Sequence, residues 1–426
     1  MADSHSKRAI LAALRHDPDF SGLDSLPPLH STAGRNCIRW LDRGGLALIL
    51  LRALQNHSAT TQISAAWRDA LSQRHERNVI RMRDMVEEAR RINSALLSHR
   101  VTAAFMKGFT LIPDFCEDPS LRHQVDFDLL VAPKDAKTAA KALFSCGYYA
   151  PRVNETGETC FLTPLRHIPT ANDDLYGVQL QRQVDLHVSL WQYCPWLPVQ
   201  TPQDCLEHTE TRDIFGLQYL GLSLQDKFLL QVFHAFHHSF RSWIRVSWLL
   251  ELANCLVKHQ QNVHLWNGVI ARAGNDGLSK SIFAFVLGLV QRLFLAPIPS
   301  QLCSWTAEAV TPRLLAWLDC FAVEWAISDW PGSLNNLFLT ADFIPNPGLR
   351  RQYWRSRFLP KKASVSLGPV VVTSPKRLFQ LQIARIRYVA CRAAVHLKDI
   401  AAFPRQQFRW RRALESTRRL KFDANC

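Results

Sequence analysis

The stretch RHQVDFDLLV, residues 122–131, decides how the middle of this chain is read. Val125, Phe127, Leu129, Leu130 and Val131 give it the apolar weight of a buried strand, yet Asp126 and Asp128 stand two apart within it. Side chains i and i+2 of a strand share a face. Phe127 and Leu129 therefore anchor one side, and both carboxylates project from the other. Two like charges held this close repel unless water or a cation lies between them. Hard oxygen ligands favour Mg²⁺ or Mn²⁺. An exposed edge strand with a polar face carries the same pattern, so the neighbouring segments have to decide.

Upstream, RVTAAFMKG (100–108) reads as a short strand ending in a glycine turn, with Lys107 and Gly108 at the start of an expected short helix or turn that Pro113 breaks. A glycine turn at a helix start exposes backbone N–H groups to phosphate, and a lysine adds a point charge. Downstream, PKDAKTAAKALFSCGY reads as a helix, with Pro133 in its first turn and Gly147 as its stop. Beyond it, QVDLHVSLW carries Asp185 and His187, again two apart on an apolar strand. Asp185 could complete a three-carboxylate metal site. This order of strand, glycine turn, D-x-D strand and distant strand aspartate suits metal-assisted nucleotidyl transfer. His187 reads first as a histidine bonded to a carboxylate, and second as a metal ligand or acid/base group.

The flanks are helical. Residues 37–98 show helical spacing, including Val79, Met82, Met85, Val86, Ile92 and Leu96 in one long amphipathic segment. From LSLQDKFLLQVFHAFHHSF to about residue 345 the helical pattern returns. His234, His237 and His238 within it read as part of a helix packed on the α/β region, with a metal pair as the alternative. The expected class is α+β: a small mixed-sheet core with N- and C-terminal helical regions. The expected divisions are 1–98 helical, 99–200 the α/β core, 201–345 helical and 346–426 a basic amphipathic tail.

The combined pattern resembles the uncharacterised bacterial nucleotidyltransferase family of the DNA polymerase β-like superfamily. The residues that carry the resemblance are AFMKGFTLIPDFCEDPSLRHQVDFDLLV (104–131), VDLHVSL (184–190) and the later helix with paired histidines, and it extends over residues 35–260. Val125 stands where the family often has Gly, and Glu251 where it tends to have Asp. The resemblance implies a nucleotidyltransferase that moves an NMP from an NTP such as ATP to an unidentified acceptor by two-metal, in-line transfer. Asp126 and Asp128 would bind Mg²⁺ or Mn²⁺, and Asp185 would hold one ion or act as base. Lys107 and Gly108 would position the triphosphate, and Arg122 would reach a phosphate oxygen. The alternative is an inactive nucleotidyltransferase fold that binds nucleic acid or a partner through its tail.

The bulk properties set the remaining limits. With 426 residues, 47% hydrophobic and 20% charged, most of the chain is expected to be globular in two or three domains. The longest apolar runs, 44–51 and 281–290, are short of a membrane span. Eleven scattered cysteines without a C-x-x-C argue against a disulfide framework or zinc site and fit a cytoplasmic protein. Residues 350–426 hold nineteen Lys/Arg and three acids, a net of +16, which leaves −1 for the rest of a chain of net +15. The basic character is thus local. An anionic membrane surface, nucleic acid or an acidic partner protein are the candidate ligands of this tail, and peripheral membrane association is an expectation that follows from the first.

Overall fold

The computed structural model of the chain describes residues 2–150, 158–163, 175–176, 182–190, 197–241, 245–328, 334–358 and 375–423. Trp191 of QVDLHVSLW and residues 359–374 of the basic tail lie outside them.

Six strands form one mixed sheet: β1 (Ala103–Phe105), β2 (Asp126–Val131), β3 (Thr159–Leu162), β4 (Gln183–His187), β5 (Thr209–Ile214) and β6 (Leu217–Leu222), in the order β3-β4-β2-β1-β6-β5. β2 runs parallel to β4 and antiparallel to β1, which itself runs parallel to β6. Residues 201–345, grouped above as helical, thus open with a β5–β6 hairpin that extends the sheet. Its turn uses Phe215 and Gly216, both at positive φ.

Four helices precede the sheet: α1 (Ala2–Ala13), α2 (Thr32–Gly44), α3 (Ala47–Asn56) and α4 (Ala65–Ser98). Next comes α5 (Ala136–Ser145), which ends near Gly147 at φ +84°. After the hairpin follow α6 (Leu224–Arg241), α7 (Val246–Lys258), α8 (Val263–Ala273), α9 (Gly277–Phe294), α10 (Ser300–Thr306), α11 (Pro312–Ile327), α12 (Thr340–Phe343), α13 (Pro347–Phe358) and α14 (Pro375–Asp423).

The strand alternation divides the buried side chains between two faces. Phe127, Leu129 and Val131 of β2, with Phe105, Val184 and Leu186, pack under α4 and α5. Met82, Met85, Val86, Ile92 and Leu96 supply the α4 side, as expected from helical spacing, whereas Val79 of the expected stripe is only half-buried and lies outside this core. Phe127 is fully buried and meets Phe105 and Phe109 edge-on, with ring centroids 6.5 and 6.4 Å apart. The opposite face carries Ala104, Met106 and Leu130 against Leu230 of α6. Helix α6 is amphipathic in a second direction too: Phe228, Val232, Phe233, Phe236 and Phe240 enter the largest core, which unites α1–α3 with α6–α11. The helices on either side of the sheet in sequence therefore share one core. α9 is long and apolar enough to cross a membrane, but Ile282, Phe283, Phe285, Val286, Leu289 and Val290 are all buried in this core.

A buried polar network ties α4 to the sheet. Glu88 accepts from Tyr148 Oη at 2.6 Å and from Arg182 Nε at 3.1 Å. Both partners satisfy a carboxylate that burial would otherwise make costly.

Candidate active site

Register alone assembles the carboxylates. Parallel pairing of β2 with β4 sets Asp128 opposite Asp185 and Asp126 opposite Gln183. Because the side-chain period is two, all four project from the face turned toward α6. Asp126, Asp128 and Asp185 line a cavity of about 580 Å³ between the sheet and the helical body, together with Lys107, Gly108, Arg122, Glu158, His187, His234, His237, His238, Arg245 and Trp248. Every residue expected at the site from the sequence reaches this cavity.

Lys107 is the central cation. Its Nζ lies 2.5 Å from Asp128 Oδ1, and His187 Nε2 is 3.0 Å from the same oxygen. Burial alone would raise the Asp128 carboxyl, but Lys107 and then His187 outweigh it and hold Asp128 well below the usual range. Burial likewise opposes the Lys107 charge, and Asp128, Asp126 and Asp185 together raise it. Asp126 has no such direct partner, so burial and the Asp128 charge push it up. Asp185 is raised to about 7 by burial and by Asp128, Glu158 and Asp126. Gln183 Nε2 binds both of its oxygens, at 2.9 and 2.8 Å.

The glycine turn is built tightly. Gly108 has φ +69°, and it opens a single 3-10 turn, Gly108–Leu111, the short helix or turn expected there. Gln124 fills the space over it: its Oε1 accepts from Phe109 N at 2.9 Å and its Nε2 donates to Asp126 O at 2.7 Å. One side chain thus clamps the lysine turn to the first residue of the D-x-D strand. The Phe109 N–H, which a phosphate cradle would use, is committed to this clamp. Val125 sits at the cavity rim, 36% exposed, and regular pairing of β2 begins at the next residue.

The far wall comes from α6, α7 and the N-terminal helices. Arg122 lines the cavity, but its Nε donates to Glu251 Oε1 at 2.9 Å, and Gln231 Nε2 holds the other Glu251 oxygen at 3.1 Å. Arg245 precedes α7 and differs in kind. Its buried Nε has no hydrogen-bond partner among the described residues. Burial and the Arg122 charge both disfavour its cation. It fits only because Gly45, at φ +69°, lacks a side chain: a Cβ there would lie 2.2 Å from the Arg245 Nε. Trp248 packs edge-on against His234 and tilted against His238, with ring centroids 4.3 and 4.8 Å apart. Burial, with Lys107 and His238 adding to it, keeps His234 neutral, far below its usual range. Asp42 brings α2 to the same cavity, held by Arg74 at 2.7 Å.

As the side chains stand, no three His, Cys, Asp or Glu among the described residues converge on one point as metal ligands. The reason is visible: Lys107 occupies an Asp128 oxygen, and Gln183 occupies both Asp185 oxygens. The donor set nevertheless fits a hard divalent cation. It consists of carboxylates on adjacent strands and one face, it already draws an ammonium group, and its mutual repulsion lifts Asp185.

Glu158, Gln183 and Arg245 were not read from the sequence. Gln183 had a usable signal, since it precedes Asp185 by two and shares its face. Glu158 and Arg245 had none, because they reach the cavity from segments whose placement only the packing sets.

The geometry is that of a carboxylate cluster on one face of a mixed sheet, roofed by helices. The model of the family described as uncharacterised nucleotidyltransferase matches residues 32–294, and the chain belongs to this family. All the cavity residues, from Asp42 to Trp248, lie within the matched segment. No curated protein and no solved structure matches the chain.

Proposed function

We propose that the cavity transfers a nucleoside monophosphate from an NTP to a hydroxyl-bearing acceptor and depends on Mg²⁺ or Mn²⁺. The observation that carries the proposal is the pairing of Asp128 with Asp185, and of Asp126 with Gln183, on one cavity-facing side of the sheet. Family membership and the cavity's size, within the range of small-molecule sites, support it.

Asp126 and Asp128 are the residues to hold the metal, which when bound supplies charge neutralisation at the reacting phosphate. Lys107, beside Asp128 at 2.5 Å, would offer its ammonium to a phosphate oxygen. Arg245 meets the triphosphate from the opposite wall, where its unpaired guanidinium gains a partner. Asp185 faces the acceptor and either shares the metal or receives the hydroxyl proton. His187 orients Asp128 through its 3.0 Å bond. The chain's contribution is then mainly positioning and fixed charge. The polymerase β-like ancestry implied by the motifs belongs to the same proposal.

The test is Mg²⁺-dependent pyrophosphate release and labelled-NMP transfer, with EDTA as control. Asp126→Ala and Asp128→Ala should each lower transfer by roughly a hundredfold or more, the scale of losing a main electrostatic group. Full activity in both variants would remove the assignment.

A further inference from the structure

Helix α14 lies outside the segment matched by the family, and it is built as a two-sided surface. One side is docked. Phe403 and Trp410 stack on Phe338, with ring centroids 5.4 and 4.9 Å apart, and Arg409 pairs with Glu324 at 3.0 Å. Arg313 lies over the Trp410 ring. The other side is apolar and exposed: Ile386 66%, Leu397 67%, Ile400 54% and Phe408 62%. At 100° per residue these four fall within an arc of about 80° along roughly 33 Å of helix. Ala390, Ala393, Ala401 and Pro404 are exposed on or beside the same arc.

Large apolar side chains aligned on an open face require something to cover them. The charge of the helix selects what. It carries thirteen Lys/Arg against Asp399, Glu415 and Asp423, a net of +10. Among the exposed residues, Lys398, Arg405 and Arg412 line one side of the stripe, opposite the docked Phe403 and Trp410. A second copy of the helix would set +10 against +10 and would meet Pro404 on the seam. A nucleic acid would satisfy the cations but leave Ile386, Leu397 and Ile400 without partners, since aliphatic side chains do not stack on bases as aromatic ones do. An anionic lipid surface satisfies both at once. Its headgroups meet the basic edge of the stripe, and its acyl boundary takes the apolar side chains.

We infer that α14 is a membrane-surface helix which lays its Ile386–Phe408 stripe into an anionic bilayer and holds the catalytic body beside it. The helix lies on the bilayer and does not span it. The inference is independent of the chemistry proposed for the cavity.

The experiment is flotation of the full chain with vesicles of phosphatidylcholine alone or with 30% phosphatidylglycerol. Binding to the anionic vesicles should exceed binding to neutral ones at least tenfold and should fall as salt is raised. Leu397→Glu with Ile400→Glu should lower it at least tenfold without changing the melting temperature, because neither side chain is packed. Leu397→Ala with Ile400→Ala adds no charge and should weaken binding several-fold. Equal binding by wild type and both variants would overturn the inference, as would indifference to anionic lipid. A dimer that both variants dissociate, without vesicle binding, would assign the stripe to a second copy. Binding to single-stranded RNA but not to vesicles would assign the helix to nucleic acid.

Discussion

The Gln124 clamp makes a quantitative prediction about Gly108. An alanine there would place its Cβ 2.1 Å from Gln124 Nε2 and 2.3 Å from Cδ, closer than any real contact. Gln124 is a flexible side chain, but it is 97% buried and pinned at both ends, so moving it breaks both bonds. Left-handed backbone at a non-glycine residue costs about 1–2 kcal/mol. Leaving the buried Phe109 N–H unsatisfied costs about 1–3 kcal/mol, and losing the bond to Asp126 O about 1 kcal/mol more. Gly108→Ala should therefore destabilise by about 3–6 kcal/mol. Gln124→Ala alone removes the two bonds and should cost about 2–4 kcal/mol. In the double variant the clash has no target, so adding Gly108→Ala to Gln124→Ala should cost only the backbone strain, about 1–2 kcal/mol. Urea denaturation of the four proteins closes the cycle, with an expected coupling of about 2–4 kcal/mol. Additive losses, within about 0.5 kcal/mol, would refute the clamp.

Two further predictions follow from buried cations. Lys227 is buried and donates to Thr110 O at 3.5 Å, and burial followed by the Arg212 charge lowers its pKa to about 8. The unfolded chain binds this proton more tightly, so stability should rise with pH between about 8 and the unfolded lysine value near 10.4. Lys227→Met should stabilise at pH 7 by at most about 3 kcal/mol, with the gain shrinking toward pH 10 in urea titrations; a variant less stable than wild type at pH 7 would contradict this. Arg245→Met should act in opposite directions on stability and function. It removes a half-buried guanidinium whose Nε has no partner among the described residues, worth about 1–3 kcal/mol of stability, and raises KM for the NTP at least tenfold in steady-state transfer. An unchanged KM would take Arg245 out of the phosphate site.

Helical and strand periods, glycine stops and the D-x-D spacing are local properties, and local properties are legible in a sequence. That is why Asp126, Asp128, Asp185, Lys107 and Gly108 could be named before any fold was seen, and why the buried stripe of α4 was read correctly. A β5–β6 hairpin within a segment grouped as helical was missed because TETRDIFGLQYLGL alternates weakly and its turn relies on Phe215 at positive φ. Tertiary structure alone decided the rest. Parallel register brought Asp185 level with Asp128, although 57 positions separate them in sequence. Packing of α6 and α7 over the sheet delivered the histidines, Trp248 and Arg245, and it turned Arg122 toward Glu251. Docking of α14 through Phe403 and Trp410 determined which of its faces is open. The sequence by itself determined that two carboxylates would stand rigidly together on one face of a buried strand. Which charges would answer them depended on long-range contacts, because the pairing partner of a strand and the face a helix buries are set by the whole core and not by any one segment.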